Sequence, residues 1–200
     1  MKKMKRLGAL ILALALAWSL TACGGSRSSG TSVLPALSGG NSGAAASGAD
    51  SSDGAYSEGR LGDVMRTYFF AFTVNSVYTC DSFGDFAPEE GKQVLVAEVS
   101  VKNTFTESLP MFDTDFQIQW NDKEDPDNAY ASPISANFSD ELLPETYELA
   151  VDEQVTGLLA FEVPADVKDY SLVYLEEFDD DTTGDFYAVY FTAKPQDGTV

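Results

Sequence analysis

Histidine is absent from all 200 residues, and much hydrolytic and metal chemistry goes with it. No Ser-His-Asp triad, Cys-His pair or His-liganded zinc site can form. The spacings Ser-x-x-Lys, Gly-x-Ser-x-Gly and Gly-x-Gly-x-x-Gly are missing too, as is a Walker loop. What the chain holds instead is carboxylate. Asp122-Lys123-Glu124-Asp125-Pro126-Asp127-Asn128 packs acids and an amide into one short stretch, and Asp179-Asp180-Asp181 forms a second cluster. Calcium takes about six to eight hard oxygens, and such loops supply them. Asp122, Glu124, Asp125, Asp127, Asp179, Asp180 and Asp181 are therefore the candidate metal ligands, and calcium is the one candidate cofactor. The first loop lacks the glycine and the closing glutamate of an EF-hand, so a solvated acidic loop is the plainer reading. A two-carboxylate glycosidase needs only a pair of acids at a suitable separation. No pair among the 32 Asp and Glu stands out, and no catalytic residue is assigned.

Cysteine offers a different chemistry. Lys2, Lys3, Lys5 and Arg6 precede an apolar run from Leu7 to Leu20. That order marks a secretory signal, and the run is short of the roughly 20 residues that span a bilayer comfortably. Leu20-Thr21-Ala22-Cys23 follows, then Gly24 and Gly25. An aliphatic residue three before cysteine, with small residues between, resembles the lipobox of bacterial lipoproteins. The resemblance implies cleavage before Cys23 and a diacylglyceryl group on its sulfur, with a membrane as partner through that lipid. More than one acyl chain anchors stably where one does not. The expected address is the extracytoplasmic face of a cell membrane, at the cell surface.

Loss of residues 1–22 removes four of the 12 Lys and Arg and none of the 32 Asp and Glu, which leaves a formal charge of −24. Such a surface repels nucleic acid and anionic headgroups, so neither is a partner. It also keeps a secreted domain soluble. Once Cys23 carries lipid, Cys80 is the one remaining thiol, and no intrachain disulfide forms. Cys80 reads as a small packed hydrophobe, with a bridge between chains as the sharper alternative.

The elements that position these residues divide in three. Residues 1–22 are the signal peptide. Residues 23–59 form a Gly/Ser/Ala-rich tether in which Val33-Leu34-Pro35-Ala36-Leu37 is the sole apolar island. Such a segment buries too little surface to order itself, and as a coil it spans roughly 30–35 Å. Residues 60–200 form one domain. Its signal has period two: Leu95, Ala97, Val99 and Val101 share one face, and Phe112, Phe116, Ile118 and Trp120 another. Val155, Leu159, Phe161 and Val163 repeat the pattern. Tyr68–Val74 and Phe186–Phe191 are apolar on both faces and predict central or loop-covered strands, with another strand near Tyr170–Leu175. Glycines and prolines punctuate these runs at short intervals. The prediction is an all-β, immunoglobulin-like antiparallel β-sandwich of seven to eight strands. Tyr56, Tyr130, Tyr147, Tyr170, Tyr174 and Tyr187 serve either as a stacking platform for wall glycans or, more simply, as core.

Four stretches add a resemblance. Leu61-Gly62-Asp63 opens the first strand on this reading, and Phe72-Thr73-Val74-Asn75-Ser76-Val77 follows. Glu90-Gly91-Lys92 then precedes the Val-rich run from Val94 to Asn103, and Gly157 to Pro164 ends in Phe161-Glu162-Val163-Pro164. Together they resemble a family of uncharacterised Ig-like domains, a domain of unknown function, in Gram-positive lipoproteins, related in fold to a secreted immunogenic antigen. The resemblance implies strands and turns and brings no catalytic residues. The functional expectation is a surface-displayed, non-enzymatic binding or adhesion module with a protein or cell-wall polymer as ligand. The alternatives are a carboxylate-dependent envelope hydrolase and an accessory subunit of an envelope complex.

Overall fold

Alternating side chains along the longest runs demand two sheets that share an interior, and the computed structural model, which describes residues 54–196, builds them. Its strands are β1 (Tyr56–Arg60), β2 (Met65–Arg66), β3 (Phe70–Cys80), β4 (Lys92–Asn103), β5 (Leu109–Phe112), β6 (Gln117–Trp120), β7 (Tyr130–Ala131), β8 (Thr146–Leu149), β9 (Gln154–Pro164), β10 (Asp169–Glu177) and β11 (Thr183–Thr192). Sheet I has the order β1-β11-β10-β6-β7 and sheet II the order β2-β3-β4-β9, while β5 and β8 form a separate ribbon. The domain is an immunoglobulin-like β-sandwich.

The core lies between the sheets. Phe70, Phe72 and Val74 of β3, Leu95, Ala97, Val99 and Val101 of β4, and Leu159, Phe161 and Val163 of β9 face Ile118, Leu172, Tyr174, Tyr187 and Val189 of sheet I. Aromatic rings interlock at its centre: Phe72 meets Phe116 at 5.3 Å and Phe70 meets Tyr174 at 4.8 Å, tilted or edge-on, which aromatic quadrupoles favour. A second, smaller cluster lies on the outer face of sheet II. There Val94, Val96 and Ala160 are roofed by Phe83 and Leu142, with Phe86 and Ile134 at the margin.

Four features depart from the sequence expectation. The sheet takes in Tyr56–Gly59, which the sequence reading placed in the tether, because β1 pairs in parallel along β11 from Tyr56↔Phe186 to Arg60↔Tyr190. Stacking of Tyr56 on Phe186 at 5.5 Å, a hydroxyl contact between Tyr56 and Tyr190, and Arg60 over the Tyr190 ring hold that edge. Leu61-Gly62-Asp63 is a turn and opens no strand: Asp63 N–H donates to the Arg60 carbonyl and Gly62 has φ +86°. The strand expected at Tyr68–Val74 starts at Phe70 and runs on to Cys80 through a bulge between Val74 and Ser76. The single strand read from Phe112 to Trp120 is broken by a 3-10 turn, Asp113–Asp115, where the Asp115 carboxylate accepts the Phe112 N–H at 2.9 Å. Short polar side chains that bond nearby backbone interrupt a ladder in this way. The expected signal peptide and most of the tether lie outside the described residues.

Candidate functional site

Two connections cross the open end of the sandwich and leave a cleft of about 570 Å³ between them, within the usual range for ligand sites. Its floor is the outer face of sheet II beyond the small apolar cluster, where Lys92 and Pro164 are register partners and Glu162 follows. One wall is the β6–β7 edge of sheet I, with Trp120, Asn128 and Tyr130. The other is made of Phe86 and of Ser132, Ile134, Ser135 and Phe138 on the chain running from β7 back over sheet II.

Local sequence explains how each part is held. Gly91, at φ +83°, turns the chain into β4 and brings Lys92 N–H onto the Glu89 carbonyl; only glycine adopts that conformation freely. Gly84, at φ +55°, lies so close to the Phe138 carbonyl that a Cβ would sit 2.1 Å from it. That approach lets Asp85 N–H donate to the same carbonyl and sets Phe86 edge-on to Phe138 at 5.0 Å. Trp120 is braced from below by Tyr170 at 6.4 Å. Ile134 N–H donates to the Ala160 carbonyl and Leu143 N–H to the Leu158 carbonyl, so the returning chain occupies the free edge of β9.

The charges on the floor are paired. Lys92 Nζ lies 2.8 Å from Glu89 Oε2 and 3.1 Å from Glu162 Oε2, and Glu162 Oε1 accepts the Glu89 N–H at 2.7 Å. The two carboxylates hold the Lys92 ammonium above its ordinary range, Glu89 most, and Lys92 in turn holds Glu89 below its own. One cation between two acids leaves no net positive charge to attract an anion.

The site residues expected from sequence are placed as follows. Leu20, Thr21, Ala22 and Cys23 lie outside the described residues. Asp122, Glu124, Asp125 and Asp127 occupy the β6–β7 connection, largely exposed. Asp122 Oδ1 accepts the N–H groups of Glu124 and Asp125, and both Asp125 oxygens accept from Asn128 Nδ2 at 3.1 and 3.0 Å. These carboxylates therefore cap their own loop. Asp179, Asp180 and Asp181 form the tip of the β10–β11 hairpin, closed by Phe178 N–H to the Thr182 carbonyl, with Asp181 at φ +64°. Aspartate tolerates that conformation better than most residues. Among the described residues no three His, Cys, Asp or Glu converge as a metal site. Of the six tyrosines, Tyr170, Tyr174 and Tyr187 are buried in the core, Tyr56 is on the exposed edge, Tyr147 is partly buried, and Tyr130 lines the cleft.

Sequence reasoning missed Phe86, Lys92, Trp120, Phe138 and Glu162 as a group. A signal existed: Lys92 follows Gly91, and Glu162 and Pro164 stand in the Phe161-Glu162-Val163-Pro164 stretch, both read as structural motifs only.

Strongly perturbed carboxyls lie elsewhere. Burial pushes the Asp115 carboxyl up to about 7, opposed by the Phe112 N–H and aided by Asp113 and Glu177; burial likewise pushes Asp113 to about 6. Neither lines the cleft.

A two-sheet sandwich with a mixed aromatic and polar cleft at one end is the class this geometry defines. The chain belongs to the family described as Domain of unknown function (DUF4352), whose model matches residues 59–183. No curated protein matches the sequence. Among solved structures, the chain is similar to a provisionally named lipoprotein (ycdA) from Bacillus subtilis, at 21% identity and TM-score 0.52. That match covers 65% of this chain and 38% of the other, so this domain corresponds to little more than a third of it. It is similar also to the yjhA protein of Bacillus subtilis, at 21% identity and TM-score 0.50, covering 66% of this chain and 97% of that one. At these identities the likeness is one of fold.

Proposed function

We propose that the chain is a lipid-anchored protein of the extracytoplasmic face of a bacterial membrane, whose sandwich is a non-enzymatic binding module with its ligand seated in the cleft. One observation carries the reading. Four aromatic side chains and an ion-paired floor are held open at the end of a rigid fold, and the two carboxyls raised by burial stand away from it. The cleft's Lys92 and Glu162 are engaged with each other and with Glu89, and an aromatic cleft with a few fixed polar groups is suited to holding a ligand. The Leu20–Cys23 motif supplies the address, and the lipoprotein description of the ycdA relative agrees with it. A tether from Cys23 to the first strand would present the cleft outside the membrane, to a wall polymer or a surface protein.

Retention of the purified chain on washed cells and isolated cell walls tests the module. Loss of retention in a Phe86→Ala/Tyr130→Ala variant that still melts cooperatively supports the reading; equal retention of variant and parent overturns it. Cys23→Ser tests the address, since it should move the protein from the membrane fraction to the medium.

A further inference from the structure

We infer that the cleft takes an uncharged saccharide, seated with a pyranose face against Tyr130 beside Trp120; the inference rests on the binding-module reading above. Three features of the site select this chemistry. The first is the pairing of aromatic walls with small polar groups. Trp120 and Tyr130 stand with Asn128 on one side, Phe86 and Phe138 with Ser132 on the other, and Glu162 on the floor. A sugar ring offers C–H faces to the aromatics and hydroxyl groups around its rim, and it needs both kinds of partner at once. Hydroxyls that reach a carboxylate such as Glu162 make charge-assisted hydrogen bonds, stronger than neutral ones.

The second feature is charge. Lys92 is held by Glu89 and Glu162, and the whole chain carries −20. A phosphate-rich or carboxylate-rich polymer would meet a committed cation inside a repulsive field. The third concerns peptides. Extended peptides gain affinity by adding a strand to a free sheet edge, yet beside the cleft the β9 edge is already bonded through Ile134 and Leu143 and bridged by Pro133 to Phe161. The other strand at the cleft, β7 at the edge of sheet I, is only Tyr130–Ala131 long and offers little ladder to extend.

Trp120 is the sole tryptophan of the chain from Cys23 onward, the other being Trp18 in the leader. Intrinsic fluorescence therefore reports on the cleft directly. The chain from Cys23 onward, held in detergent, is titrated with cellotetraose and the N-acetylglucosamine tetrasaccharide, with a glycerol-phosphate polymer, and with a lysine-rich peptide. The expected result is a saturable shift of Trp120 emission with a neutral tetrasaccharide, little changed between 0.1 and 0.5 M salt, over which the Debye length falls from about 10 Å to about 4 Å. Tyr130→Ala should weaken that binding by about tenfold, the loss of one stacking contact, with the melting transition retained. Neutral sugar binding that Tyr130→Ala leaves untouched overturns the inference. So does a response to the phosphate polymer or the lysine-rich peptide alone, which would leave the cleft a binding site of another class. Silence with all four probes, while cells still retain the chain through the cleft, overturns the saccharide alone; silence together with no retention overturns both readings.

Discussion

Phe86, Trp120, Tyr130 and Phe138 gather around Lys92 and Glu162 at an open end of the sandwich, whereas Asp113, Asp115 and Tyr147 are shut in where the β5–β8 ribbon meets sheet I. In the first place Lys92 is paired with both Glu89 and Glu162. In the second, Asp115 accepts the Phe112 N–H, and the buried Tyr147 hydroxyl has no hydrogen-bond partner among the described residues. Perturbed ionisation commonly marks functional sites. Here it marks the ribbon corner, because burial is the largest cause of the rise in those carboxyls and neighbouring acids add to it. The group with accessible chemistry is the one with its charges balanced. Burial without an entrance produces titration shifts; an entrance with satisfied charges produces a binding surface.

Glu176 offers the hardest test of that contrast. It is as buried as the Asp113 corner, at 4% exposure, yet it is fully used: its carboxylate accepts Tyr68 N–H at 2.6 Å, Asp185 N–H at 3.1 Å and the Tyr187 hydroxyl at 3.2 Å. Tyr68 leads into sheet II while Tyr187 belongs to sheet I, so one side chain pins the two sheets. Glu176→Ala strands three donors and should cost about 2–4 kcal/mol of unfolding free energy. A change below roughly 0.5 kcal/mol in denaturant melts would break the distinction between satisfied and unsatisfied buried acids.

The next effect is pH dependence. The folded Asp115 carboxyl keeps its proton to about pH 7, well above an ordinary aspartate near 4. Its contribution to stability is therefore whole below the unfolded value and is lost as pH rises through about 7; Asp113 acts in the same direction through about 6. Unfolding free energy should fall by about 1–3 kcal/mol between pH 4.5 and 8 from these groups, less than the full shift because relaxation and water soften it. Asp115→Asn keeps the acceptor for Phe112 N–H and should flatten most of the slope. A slope unchanged in that variant assigns the dependence to other carboxylates.

How far these features could be read in the chain differs by region. Strands β4 and β9 were legible because each carries its own period of two, and β3, β10 and β11 because each contains a dense apolar or aromatic run. Their extents were less so, since the bulge in β3 and the 3-10 turn at Asp113–Asp115 depend on backbone bonds that alternation does not encode. The parallel β1 was hidden for another reason: Tyr56-Ser57-Glu58-Gly59 has tether-like composition, and it becomes a strand only because Phe186 and Tyr190 wait for it on β11. The acidic loops drew attention by composition, and in them Asp122 and Asp180 accept nearby N–H groups. The cleft was the least legible. Its residues come from six separated points between Phe86 and Pro164, and their meeting is a product of the β7-to-β8 crossover, which no local pattern announces.

Tyr147→Phe probes the closed corner from the other side. Removing a hydroxyl that has no hydrogen-bond partner should cost nothing and can raise stability by up to about 1 kcal/mol. The pH slope should persist, because Asp115 and Asp113 owe their shifts first to burial. A loss above about 1 kcal/mol would mean that the hydroxyl is bonded through water, and that the corner is wet rather than dry.

The smallest effect belongs to the cleft floor. Lys92 is substantially exposed, and ion pairs at such positions contribute only about 0–1 kcal/mol. Lys92→Met keeps the length of the side chain and removes the charge, so the melting temperature should move little. Glu162 would still accept the Glu89 N–H, but two carboxylates would now face each other across the floor without a cation. Ligand retention should therefore weaken, or turn sensitive to salt, while the fold stays in place. If Lys92→Met destabilises the domain as much as Glu176→Ala does, the floor is a structural staple and the contrast between an open, balanced site and a closed, unbalanced one fails.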